Sequence, residues 1–355
     1  MIIHGRVVEQ VVDQGHKATF VKELVVTPGK VPLAMVRKRA HGREGGTRAP
    51  VLLVHGFGQN RYAWHLPSRS FANHLAVAGY DVFNLDLRGH GRSRQIGAPR
   101  CQSVDDYVRE DLPSALEEVR KLSGQRKVFV VGHSLGGLVG YAASSMQEGA
   151  VAGVATLGSP YQFGSGSLSL SALSLAARFM VMARLPIGNA PLAVKPLGRI
   201  MKVARRFAES PLYPVPIRGW HAGALEPHVL DEHFSHAFDR ASMAEMVELL
   251  EGRMRAKGGR RPIDYFGRFE AQDLPLFIAS GTNDDMAPPS SVRPAYERSR
   301  ARDKTYRAFP FGHIDLLVGR DAPRTIWLAL SHWLDARSAP VSVPAPPSSA
   351  PGAAA

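Results

Sequence analysis

The 355-residue sequence predicts an α/β fold: a mostly parallel central sheet flanked by helices, carrying an inserted helical cap. Three observations predict it. Short apolar runs at residues 50–54, 81–85, 127–131 and 151–157 alternate with segments of helical period at 70–78, 104–121 and 135–146. Apolar residues are continuous within each run, as in strands buried on both faces, and strands spaced by helices make a parallel sheet. The alternation stops at Tyr161 and resumes only at residue 275, leaving a long stretch outside the sheet rhythm. At 45% hydrophobic and 21% charged residues the composition is globular, which excludes a disordered, collagen-like or coiled-coil chain.

The elements follow in order. Residues 6–12, 19–26 and 31–37 are short β-rich runs separated by Asp-Gln-Gly and Thr-Pro-Gly turn signals, which predicts antiparallel strands joined by hairpins within residues 1–40. Residues 37–48, polar and glycine-rich, form a loop. The alternating strands and helices then carry the core to residue 160. Residues 161–272, rich in Leu, Ala, Met, Arg and Pro and without strand signals, are expected to form a helical cap over the carboxyl ends of the strands, where such sheets bind ligands. The core resumes over 273–337, with strands at 275–279 and 304–309 and a last helix at 322–336. The Pro/Ala-rich residues 338–355 cannot form a core and are expected to be a disordered tail.

Lys and Arg number 44 against 31 Asp and Glu, a net charge of +13. Such a balance allows attraction to nucleic acid, anionic lipid or an acidic substrate and says nothing about fold. The basic clusters at 37–48 and 253–261 carry no nucleic-acid recognition motif, so no nucleic-acid partner is expected. The single cysteine, Cys101, excludes an internal disulfide and a cysteine-based zinc site. The first ten residues, MIIHGRVVEQ, lack the pattern of a secretory signal. The most apolar long window, 167–194, is broken by Arg178, Arg184 and Pro186, whereas a spanning helix needs about 20 mostly apolar residues. A cytoplasmic protein is expected.

The chemistry concentrates at Gly132-His133-Ser134-Leu135-Gly136-Gly137, which follows the strand run KVFVV and opens the helical segment LGGLVGYAASSM. In this strand-to-helix context a G-x-S-x-G turn presents the serine hydroxyl at the sheet edge, above a helix N-terminus that favours developing negative charge. A serine hydroxyl needs a base to take its proton and an acid to orient that base; in a fold with this strand–turn–helix serine they follow in the order Ser, acid, His. Past the strand at 275–279, Asp284 and Asp285 compete as the acid; Asp284, three residues after Gly281, is preferred. Only His313 and His332 follow, and His332 lies in the final helical pattern, so His313 is the expected base. The residue after the nucleophile, Leu135, supplies one oxyanion N–H, and Phe57 in the loop His55-Gly56-Phe57-Gly58-Gln59-Asn60 supplies the other. His55 is expected to tie that loop together.

Taken with Asp86-Leu87-Arg88-Gly89-His90-Gly91-Arg92-Ser93, Gly281-x-x-Asp284-x-x-x-Pro288 and Gly312-His313, these pieces resemble the α/β-hydrolase superfamily over about residues 51–336, minus the insertion. The resemblance implies the α/β-hydrolase fold, a lid or cap at the insertion, and an acyl-enzyme mechanism with Ser134, Asp284 and His313 as triad and Phe57 and Leu135 as oxyanion donors. Residues 66–83 and the segment GHIDLLVG look similar to acid lipases and polyhydroxyalkanoate synthases. The synthases use a cysteine nucleophile, so Ser134 argues against polymerisation. The expected activity is hydrolysis of carboxylic esters of medium or long acyl chain, with no cofactor and no metal. Carbon–carbon hydrolysis, acyl transfer and a non-catalytic ligand-binding receptor are the alternatives.

In the insertion, His228, His233 and His236 with Asp231 and Glu232 match no metal signature, and no metal is expected there. Phe179, Met180, Met182, Leu185, Ile200, Met201, Val203 and Phe207 give the cap apolar faces, interleaved with Arg178, Arg184, Lys195, Arg199, Lys202, Arg205 and Arg206. These faces either pack on the core under a solvated basic surface or approach a lipid surface. Tyr62, Trp64, Phe179 and Met182 are the candidates for lining a substrate pocket.

Overall fold

A computed structural model describes residues 1–42, 48–162, 168–183, 191–192, 200, 202–203, 207, 209–210, 218–251, 254 and 261–338. The expected tail beyond Ser338, residues 43–47 of the glycine-rich loop and the basic cap residues Arg184, Lys195, Arg199, Arg205 and Arg206 lie outside them.

The chain opens with β1 (Ile2–Asp13), β2 (His16–Val26) and β3 (Ala34–Ala40), an antiparallel meander. After β4 (Arg48–Val54) come β5 (Tyr80–Asp86), β6 (Val128–His133) and β7 (Val151–Leu157). Far along the sequence, β10 (Leu276–Gly281) and β11 (Lys304–Phe309) complete one nine-stranded sheet in the order β1-β2-β3-β5-β4-β6-β7-β10-β11. β3 joins β5 antiparallel, and every pairing from β5 through β4, β6, β7 and β10 to β11 is parallel.

The continuous apolar runs have a plain cause. In β4, Val51 and Leu53 enter one apolar cluster with Trp64, Phe71, Phe129 and Trp327, while Leu52 and Val54 enter another with Phe83, Tyr107, Tyr141 and Phe269. Successive side chains leave a strand on opposite faces, and here both faces are covered. Helices Phe71–Val77, Leu112–Ser123, Leu135–Ser144 and Ile326–Asp335 supply the layers. The last segment is not the single helix expected. Thr325, at φ −123° and ψ −86°, separates a 3₁₀ turn at Ala322–Arg324 from the helix proper.

Helices Leu168–Met182, Pro227–Glu232, Met243–Glu251 and Tyr265–Ala271 lie between β7 and β10. The stretch is not strand-free: β8 (Pro191–Leu192) pairs antiparallel with β9 (Ala241–Ser242). Two residues a side are too few for a β-period to show in sequence. Acidic side chains, which sequence alone would place in solvent, pin the insertion to the core. Glu245 accepts from Cys101 Sγ at 3.0 Å, from the Tyr107 hydroxyl and from its own loop at Ser242 N. Glu248 accepts from Ser103 Oγ at 2.9 Å and Val104 N at 2.8 Å. Burial disfavours the Glu245 charge, but the hydrogen bond and charge of His90, with the Tyr107 and Cys101 bonds, outweigh it and bring its carboxyl down to about 2. Among the described residues no helix is long and apolar enough to cross a membrane.

Candidate active site

The β6 strand ends in His133, and the next residue, Ser134, turns the chain into helix Leu135–Ser144. Ser134 has φ +52° and ψ −120°, a left-handed backbone rare for a residue with a Cβ. Its N–H donates to Leu157 O at the end of β7, and its carbonyl accepts from Gly137 N and Leu138 N, so the turn is held on both sides. Gly136 is required by close approach: a Cβ there would strike the carbonyl oxygens of Val54 and His55. The helix therefore sits hard against the end of β4 and the loop that leaves it.

That loop, residues 55–60, lies beside the serine. A Cβ on Gly56 would come within 3.1 Å of Ser134 Cβ. Leu87 N donates to His55 Nε2 at 3.2 Å, so the ring's proton is on Nδ1, which donates to Gly56 O at 2.9 Å. Burial and the neighbouring His90 ring depress His55 to about 4, so it stays neutral and serves as a brace. Phe57 is half-buried against the second apolar cluster. Leu135 is the first residue of its helix, where N–H groups have no intrahelical acceptor.

The acid and the base come from neighbouring strand ends. Asp284, in the loop after β10, is 3% exposed and its Oδ2 meets His313 Nδ1 at 2.8 Å. Its Oδ1 accepts from Met286 N and Ala287 N at 2.9 and 2.7 Å, which fixes the carboxylate's direction. Asp285 is exposed and accepts from Arg218 N instead. His313 follows β11, and its carbonyl accepts from His133 Nε2 at 3.2 Å, with the two rings 4.6 Å apart. The pair sits over the end of β7, where a Cβ on Gly158 would lie 3.1 Å from Asp284 Oδ2 and 3.2 Å from His313 Nδ1. With Nδ1 engaged by Asp284, the imidazole has Nε2 left to exchange a proton. Ser134, Asp284 and His313 thus follow the ends of β6, β10 and β11, and His133, the residue before Ser134, is in ring contact with His313.

The sequence matches the alpha/beta hydrolase fold family over residues 49–320, most of the chain. The chain belongs to that family. Human Lipase member M is 31% identical over 134 residues, a match covering 35% of this chain and 31% of that protein, so the shared region is about a third of the relative's length. Among solved structures, an esterase from Thermogutta terrifontis aligns at TM-score 0.57 and 18% identity, covering 90% of this chain and 98% of that one. A monoglyceride lipase variant from Saccharomyces cerevisiae aligns at TM-score 0.60 and 18% identity, covering 90% and 96%. Family and solved structures agree on the alpha/beta hydrolase fold.

The four pocket candidates are distributed unevenly around this alpha/beta hydrolase site. Trp64 is fully buried, in ring contact with Phe71 and His133. Tyr62 is half-buried between the rings of His65 and His236. Phe179 and Met182, by contrast, are 61% and 75% exposed. Among the described side chains of helix Leu168–Met182, Ser174 is buried, which the sequence pattern does not reveal.

Sequence reasoning gave no role to three residues that the structure places at the site. Gln59 accepts from Gly56 N at 3.2 Å, and its amide nitrogen lies 3.4 Å from Nε2 of the buried His233. Burial and the nearby His313 hold His233 down to about 3. Asp239 N donates to Gly58 O and Asn60 N to Ala237 O, so backbone bonds tie the loop to the insertion. Asp315, the third, is two residues beyond the base. His228, His233 and His236 do not converge; among the described residues no three His, Cys, Asp or Glu side chains are grouped to hold a metal ion.

Proposed function

We propose that the protein is a serine hydrolase of carboxylic esters working through an acyl-enzyme, with Ser134, His313 and Asp284 as triad and the N–H groups of Leu135 and Phe57 as oxyanion donors. The observation that carries this reading is the buried 2.8 Å Asp284–His313 contact beside the strained turn at Ser134. His313 Nε2 takes the hydroxyl proton as Ser134 Oγ attacks the acyl carbonyl, and Asp284 stabilises the imidazolium that forms. The oxyanion N–H groups stabilise the tetrahedral intermediate, each worth about 10²–10³ in rate. The imidazolium returns its proton to the leaving alcohol; water, deprotonated by His313, then attacks the acyl-serine, and the carboxylic acid departs with Ser134 restored.

Hydrophobic acyl chains of medium or long length are the proposed substrates, in line with the lipase and esterase names of the relatives. A lipid surface is the proposed partner of the cap. Leu175, Phe179 and Met182 recur at helical spacing on one exposed face of helix Leu168–Met182, with Arg178 exposed among them. Ile200 and Val203, 62% and 90% exposed, add to the apolar surface beside the exposed Lys202.

The test is a series of p-nitrophenyl esters from acetyl to palmitoyl, with Ser134→Ala as control. Turnover that rises from acetyl toward longer chains and vanishes in the variant is the expected result. Silence across the series refutes ester hydrolysis, and a maximum at acetyl refutes the chain-length argument. Product analysis with and without an added alcohol separates hydrolysis from acyl transfer.

A further inference from the structure

Asp315 is fully buried and opens the short helix Asp315–Val318, two residues after His313. One oxygen, Oδ2, accepts from Gly312 N at 2.8 Å and from His221 N at 2.7 Å, which clips the base's loop to a strand of chain returning from the insertion. Two further bonds run between the same stretches: Ile314 N to Gly219 O at 2.8 Å and Arg320 N to Ala224 O at 2.9 Å. The junction is tight, since a Cβ on Gly312 would meet Asp315 Oδ2 at 2.8 Å and the backbone of Trp220 and His221. The other oxygen, Oδ1, is buried and has no hydrogen-bond partner among the described residues.

Two carboxylates therefore bear on the base, Asp284 on its ring and Asp315 on the N–H of the residue before it. Asp284 from the loop after β10 already holds His313 Nδ1, and Asp315 is electrostatically coupled to both. His133 at the end of β6 is in ring contact with His313, and His233 from the insertion is near enough to feel its charge; both are held neutral chiefly by burial. His221 contributes its backbone N–H and keeps its side chain exposed. A buried, half-satisfied carboxyl is costly, and a fold with no use for it would be served by an amide or an apolar residue.

We propose that Asp315 is a positioning residue for the base: it clips the His313 loop to the insertion and supplies a second negative charge to the imidazolium formed as Ser134 attacks. This rests on the ester-hydrolase reading above. Burial, then the Asp284 charge, push the Asp315 carboxyl up to about 7, against the pull of its two N–H donors and of His313. Its charge is therefore absent in mild acid and present in mild base. The amide of Asn keeps an oxygen for the two N–H donors and deletes the charge, so Asp315→Asn isolates the electrostatic part.

The experiment compares kcat/KM of wild type and Asp315→Asn on p-nitrophenyl esters across pH, with thermal unfolding as a fold check. The expected deficit of the variant is less than about twofold near pH 5.5, where both carry no charge, and opens to about tenfold near pH 8.5. A deficit equal at all pH values would show a structural clip alone and overturn the proposal, as would no deficit. If Asp315→Asn does not fold, the wild-type profile decides: an acidic limb steeper than one ionisation supports the proposal, and a limb of unit slope overturns it. Wild type inactive on every ester fails the functional reading and this one together, whereas active wild type with a flat ratio fails this one alone.

Discussion

Replacing Ser134 by glycine should make the protein more stable while removing its activity. Ser134 holds φ +52°, ψ −120°, and its side chain makes no capping bond to the helix it opens, so losing the hydroxyl costs the helix nothing. A non-glycine residue in such a conformation carries about 1–3 kcal/mol of strain, which glycine does not pay. Glycine's larger unfolded-state entropy returns roughly 0.5–1 kcal/mol of that gain. The net expectation is about 1–2 kcal/mol of stabilisation, or roughly 1–3 °C in Tm for a chain of this size. Ser134→Ala is the reference, because it lacks the hydroxyl but keeps the Cβ and hence the strain. Thermal unfolding of the two inactive variants side by side is the assay. A Ser134→Gly protein no more stable than Ser134→Ala would refute the argument that the turn stores strain to present the hydroxyl.

Three further outcomes are expected. Asp284→Asn should lower kcat by about 10³-fold or more, while Asp285→Asn should change it less than about threefold, since only Asp284 reaches His313. Glu245→Gln should cost on the order of 3 kcal/mol at neutral pH, because the carboxyl lies at about 2 in the fold against 4.5 unperturbed; a depressed acid stabilises above its unfolded value, so the cost should fade as pH drops from about 4.5 to about 2 in denaturant titrations. Phe179→Ser with Met182→Ser should weaken cosedimentation with anionic phospholipid vesicles severalfold and leave turnover of a monomeric short-chain ester unchanged; equal vesicle binding would remove lipid contact from the account.

Much of the fold is legible in the residues, because covering both faces of a sheet forces continuous apolar runs, and those runs coincide with β4 to β7, β10 and β11 within a residue or two. The turn at Ser134 is legible for a related reason: glycine at 136 answers a close approach to Val54 and His55, and such approaches leave a spacing in the sequence. Two adjacent aspartates are harder to separate, since the decision lies in which one the loop after β10 turns inward, and burial of Asp284 against exposure of Asp285 is a tertiary fact. The insertion is the least legible part. Its anchoring is done by Asp239, Glu245 and Glu248, buried acids whose donors are Gly91, Cys101, Tyr107, Ser103 and Val104 far away in sequence. The direction in which Phe179 and Met182 point is hidden similarly, because an all-round apolar helix has no preferred face until something packs on it. Asp315 was in plain view in the motif Gly312-His313-Ile314-Asp315, but only the folded chain shows it buried and bonded to the loop of the base.

The central claim is that Ser134 is a nucleophile activated by His313 and Asp284. It is tested most directly by reaction with a fluorophosphonate probe followed by mass spectrometry of the labelled peptide. The account predicts one label per chain, on Ser134, absent in Ser134→Ala and strongly slowed in His313→Ala. Labelling on another residue, or unchanged labelling in either variant, would contradict it.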